Sequence, residues 1–199
     1  MVPSHAVPSG LQLVASSGRR VTRQGRLAPM VVLRCTRKLL PRVDGRSPNS
    51  GELPKSTTRL GDWYANIAGV VGRQHIVLGV SGVTLLPVLV PAAPYKTLLS
   101  RFAEATGQVL RTLKIDEAKV VAEVNAMRDM VVATTNDRRV LGSMNDFVFM
   151  LGGYYLDDRP LTEVALHLAE SPCSPLGMKS PRQATLTLFS TPTLRLVKD

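Results

Sequence analysis

Pro94 divides the chain into two hydropathy regimes, and that switch constrains the fold more than any other feature. Before it lie three apolar runs, DWYANIAGVV, RQHIVLGV and VTLLPVLVP, separated by a Gly72-centred turn and by Ser81-Gly82. Short β-branched runs punctuated in this way read as strands joined by tight connections. After Pro94 the apolar spacing changes. Tyr95, Leu98, Leu99, Phe102, Ala105, Val109, Leu110 and Leu113 fall three or four apart, the period of an amphipathic helix. Strands followed by helices predict an α+β fold. We expect a small, mainly antiparallel sheet with helices packed on one face, its strands drawn from residues 30–35, 62–71, 74–81, 83–90 and 130–135. Pro87 cannot donate to a sheet ladder, so its strand is expected at an edge or bulged.

The remaining segments fit around that plan. Met30 to Cys35 is a β-branched run, and Thr36 can cap a short helical turn that Pro41 stops. Residues 42–59 are turn-rich and predict a flexible loop. Asp116 is placed to cap a second helix burying Val120, Val121, Val124 and Met127. LGSMNDFVFML carries Leu141, Met144, Val148 and Leu151 on one stripe, a third helix that Gly152-Gly153 would end. LTEVALHLA predicts a short fourth helix, and the Ser/Pro-rich SPCSPLGMKSP follows it. TLTLF leads into an expected tail at 189–199.

With 199 residues the chain suits one domain, expected at 30–188, plus extensions. No apolar run reaches the roughly 20 residues that span a bilayer. The expectation is a soluble cytoplasmic protein without membrane contact. Cys35 and Cys173 have no CxxC partner, and His5, His75 and His167 are scattered. Neither a metal nor a cofactor is therefore expected, and the thiols read as structural. Charge is uneven. Residues 1–60 hold eleven Arg and Lys against Asp44 and Glu52, which accounts for nine of the ten excess positive charges. The acid-free stretch 1–29 reads as a basic, disordered extension or as a misassigned start, since MVVLRCT at Met30 resembles a domain beginning. Phosphate binding by such an arm and an organelle transit peptide are the alternatives.

No GxSxG, P-loop or HExxH string is present, and GVVGRQ lacks the helix that a phosphate cradle needs. The polar joint TTNDRRVLGSMND, residues 134–146, offers more chemistry. Asn136 or Asp137 can cap the helix that follows, while Arg138 and Arg139 present forked donors. Arg139, Ser143 and Asp146 are spaced by four and three and share a helix face, with Asn145 alongside. One reading is an anion site at the helix start, assisted by Arg139 and Ser143. The other is a structural network in which Asn136 caps and Arg139 pairs with Asp146 or Asp62. A second cluster, LGDWYAN, contains Asp62, Trp63 and Asn66. In a strand Trp63 and Ala65 face one way and Tyr64 and Asn66 the other. Trp63 is either core or an exposed stacking ring. Arg34, Lys38 and Arg138 are the candidate nucleic-acid contacts.

MVVLRCTRKLL, LGDWYAN, TLLPVLVP and TTNDRRVLGSMNDF, in this order across residues 30–188, resemble the hallmark strings of a bacterial family known only as a domain of unknown function. The resemblance implies no activity, cofactor or partner; it marks these positions as ones that matter. Three functions remain open from the sequence. The foremost is a non-enzymatic binding or regulatory module with a polar site formed by the joint and LGDWYAN. Another is a nucleic-acid-associated protein of mobile-element or toxin–antitoxin type. The last is an enzyme of unfamiliar class acting on an anionic substrate, with Asp62 or Asp146 as acid/base and Arg139 holding the anion.

Overall fold

The β-branched runs on either side of Ser81-Gly82 do pair with each other, but they do so inside a larger, mixed sheet. The computed structural model describes residues 30–43, 53, 55–69, 75–152 and 159–191. Its strands are β1 (Val31–Cys35), β2 (Trp63–Ala68), β3 (Ile76–Ser81), β4 (Pro87–Pro91) and β5 (Met130–Thr134), in the order β4-β3-β2-β1-β5. β2, β3 and β4 pair antiparallel. β1 is flanked by β2 and β5, and both pairings are parallel. This corrects the expectation of a mainly antiparallel sheet. A meander rule applies only to strands joined by tight turns, whereas parallel neighbours need long crossovers. The connections from β1 to β2 and from β4 to β5 are long enough to supply them.

The third apolar run is a strand only from Pro87. Before it the chain turns: the Leu85 amide donates to the Ser81 carbonyl and the Ser81 amide to Leu86. Leu85 takes the left-handed conformation there, with φ of 56°. β4 lies at the sheet edge, as its proline requires. The Gly72-centred turn, the extension at 1–29 and most of the 42–59 loop lie outside the described residues.

The helices are α1 (Leu98–Thr112), α2 (Glu117–Met127), α3 (Arg138–Gly152), α4 (Leu161–Leu168) and α5 (Pro181–Ser190). Asp116 caps α2, its side chain accepting from the Lys119 amide. α5 was not anticipated. Its start is a capping box: Ser180 accepts from the Gln183 amide, and the Gln183 side chain accepts from the Ser180 amide. The helix runs through Ser190, into the segment expected as a tail.

Cover is not confined to one face. Trp63 and Tyr64 point to opposite sides of β2, and both are buried. On one side Trp63 meets Phe102 of α1 edge to face, with centroids 5.1 Å apart. Phe102 also lies over Gly79, where a Cβ would come within 2.2 Å of its ring; only glycine lets the helix approach this closely. On the other side the Tyr64 hydroxyl donates to Asn136 Oδ1 at 2.9 Å, in the segment that leads into α3. All six residues of β3 are buried, which a strand covered on one face alone would not show.

Candidate functional site

In the parallel register Arg34 lies opposite Tyr64, on the face away from Trp63. Asp62, two residues before Tyr64, shares that side. Arg34 is 8% exposed, and a guanidinium held there needs a partner. Its Nε donates to Asp62 Oδ2 at 2.6 Å, and a terminal nitrogen donates to the Thr134 carbonyl at 3.3 Å. Asp62 Oδ1 accepts from the Ser56 hydroxyl at 2.6 Å, so both of its carboxylate oxygens are engaged. Beside this pair the Tyr64 phenol is pushed up by burial, with Asp137 and Asp62 adding to the shift and Arg34 and Arg139 opposing it. At the end of β1 the Thr36 hydroxyl donates to Asn66 Oδ1 at 2.8 Å. Trp63 is fully buried and offers no stacking face.

The joint itself divides. Asn136 receives the Tyr64 hydroxyl, and Asp137 does the capping: its Oδ1 accepts from the amides of Arg139 at 2.8 Å and Val140 at 3.4 Å. The N–H groups that an anion would use are thereby occupied by a side-chain carboxylate. Arg139 reaches back to the Gly82 carbonyl at 3.2 Å, and Asp62 pairs with Arg34 rather than with Arg139. Ser143 is buried, and its hydroxyl turns towards the Arg139 carbonyl at 3.5 Å.

Further along, α3 faces outward. Arg138, Arg139, Gly142, Asn145, Asp146 and Phe149 are exposed on one side of the helix, Phe149 at 85%. Arg138, Arg139, Ser143 and Asp146, with Phe147 and Met150, line one wall of a cleft of about 330 Å³. The other wall is the segment from Ser171 to Pro175. Ser171 ties the walls together, its hydroxyl 3.7 Å from the Met150 sulfur. Cys173 lies in this wall, its thiol pushed up by burial and by Asp146. Burial likewise pushes Cys35 up to about 12.

The structure thus brings Arg139, Ser143 and Asp146 together with Arg138. It separates them from Asp62, Trp63 and Asn66, which belong to the sheet. Asn145 stands beside the cleft, and Lys38 is exposed on the turn after β1. Arg34 is committed to Asp62 and Thr134 and presents no open fork to a phosphate. Three participants were missed from sequence. Ser56 sits in a turn-rich stretch with no local signal. The cleft's second wall is the Ser/Pro-rich segment, whose composition suggested only a loop. Phe149, an aromatic off the apolar stripe of α3, was legible from helical spacing alone. Among the described residues no group of three or more His, Cys, Asp or Glu could hold a metal ion, and no helix is long and apolar enough to cross a membrane.

A family model described as "Domain of unknown function (DUF6933)" matches residues 32–184, a span that contains the sheet except Val31, α1 to α4 and both walls of the cleft. No curated protein and no solved structure matches the chain.

Proposed function

The chain belongs to the DUF6933 family, and we propose that it acts as a non-enzymatic binding module that takes a short segment of a partner protein into the α3 cleft. The observation that carries this reading is the make-up of the cleft. Arg138 and Arg139 stand against Asp146 beside apolar surface from Phe147, Met150, Pro172 and Pro175. Both charge signs with apolar ground between them suit a peptide carrying an acidic residue, a basic residue and an aliphatic or aromatic side chain. A cleft of about 330 Å³ is at the small end of ligand sites, the size for a few side chains. Phe149, one turn beyond Asp146, extends the contact surface; aromatic anchors of this kind carry much of the energy in protein interfaces.

Binding is favoured over catalysis by the partners of the polar groups. Both Asp62 oxygens are engaged by Arg34 and Ser56, and the Ser143 hydroxyl turns to its own helix. Peptide display against the full chain tests the reading. Selected peptides should lose binding to Asp146→Lys and Phe149→Ser variants of unchanged melting temperature, while Lys96→Ala, at a different surface, retains it. Peptides indifferent to the cleft variants would overturn the proposal.

A further inference from the structure

At the end of the sheet towards which β1, β2, β4 and β5 run, the segments after β1 and β4 differ in charge from the joint after β5, which carries Asp137. From Trp63 to Ala103 the sequence has no acidic residue, and neither does 36–43. The segments after β1 and β4 meet at this end. Arg42 joins them: one guanidinium nitrogen donates to the Tyr95 hydroxyl at 3.0 Å, and the guanidinium carbon lies 5.6 Å from the ring centroid. Arg101 pins the same loop by donating to the carbonyls of Pro91 at 2.6 Å and Pro94 at 2.7 Å. Arg37 and Lys38, on the turn after β1, and Lys96, beside Tyr95, are exposed. Five cations therefore gather at one end on a scaffold braced by hydrogen bonds, with no carboxylate in either segment.

We propose that this end contacts the phosphate backbone of a nucleic acid, independently of the α3 cleft. Clustered Lys and Arg without acids attract phosphates through counterion release and carry no sequence preference. An anionic membrane offers the same charge, but surface binding to lipid also requires large apolar side chains that enter the interface. The large exposed hydrophobics among the described residues are Val83, Val121, Phe149 and Met178, and none belongs to these segments. Nucleic acid is the better match.

The test measures binding of the full chain to fluorescent single-stranded and duplex oligonucleotides between about 50 and 200 mM salt. Lys38→Ala with Lys96→Ala should lower the slope of log affinity against log salt by about 2 and weaken binding roughly tenfold at the low-salt end. Both side chains are exposed, so the melting temperature should hold. If the double variant unfolds, Lys96→Ala alone should lower the slope by about 1. The Asp146→Lys variant should keep wild-type affinity or exceed it. An unchanged slope and affinity in the lysine variants would overturn the proposal, because binding would then come from elsewhere, such as the arginines before Met30. Absence of binding at low salt would overturn it too, as would capture on phosphatidylserine vesicles with none on oligonucleotides.

Discussion

Two polar regions sit within one stretch of chain, and they have opposite fates. Asn136 and Asp137 are spent on the fold: exposed Asn136 accepts from the Tyr64 hydroxyl and half-buried Asp137 caps α3, beside the neighbourhood where Arg34, Asp62 and Ser56 satisfy one another. Arg138, Asn145 and Asp146, only a turn or two further on, point to solvent. Residue type does not distinguish the two sets; partners do. A charge that leaves water must find a hydrogen-bonded counterpart, and Arg34 has done so in Asp62. The outward ones remain free to meet something else. The comparison teaches that a polar motif need not be a single site: here one part of it builds the fold and the other presents a surface.

The division can be broken at its inner half with the largest effect. Asp62→Ala would leave Arg34 facing an empty place; with Asp62 about a quarter exposed, the expected loss is about 3 kcal/mol, the low end for a broken buried pair. Urea unfolding would measure it, and a double replacement of Arg34 and Asp62 by apolar residues should cost less than Asp62→Ala alone. Asp137→Ala removes the cap of α3 and should cost about 1 kcal/mol, read as a lower thermal midpoint. At the outer half, Arg138→Ala and Asp146→Ala should each shift stability by less than about 0.5 kcal/mol while abolishing peptide capture. A large stability loss from either would erase the distinction.

A buried carboxylate on α2 sharpens the same contrast through pH. Glu123 accepts from the Arg59 amide at 2.7 Å, and burial raises its pKa above the ordinary 4.5, opposed by backbone amides of Arg59 and Leu60, the Thr58 hydroxyl and the Arg59 charge. A carboxyl raised in the folded state binds protons more readily there than when unfolded. Its contribution to stability is full below pH 4.5 and declines as pH rises through the raised value. Glu123→Gln should flatten that decline, so the variant gains on the wild type as pH increases above 4.5. Parallel denaturation curves at each pH would show otherwise.

Much of the local structure was legible because it is encoded locally. The three-and-four spacing from Tyr95 to Leu113 marked α1, Asp116 marked the start of α2, and Pro87 marked an edge. The capping box at Ser180 and Gln183 was equally readable and was passed over because proline and serine suggested a loop. What could not be read is which strands lie side by side. The parallel pairs of β1 join segments far apart in sequence, and no residue type announces a distant neighbour. The same limit applies to the candidate site. Asp62 and Arg34 were both singled out, but their mutual pairing depends on strand order, and the cleft's second wall depends on where α4 carries the chain.

The position of β1 has a consequence during synthesis. Its partner β5 arrives late: Arg34 and Thr134, which share a hydrogen bond, are 100 residues apart. While the ribosome is still making α1 and α2, the hairpins of β2, β3 and β4 can already close, yet β1 keeps one hydrogen-bonding edge bare. An uncovered edge of VVLRC is an invitation to pair with another nascent chain. The interval of synthesis between β4 and β5 should therefore be the time when this protein depends most on dilution or on a chaperone.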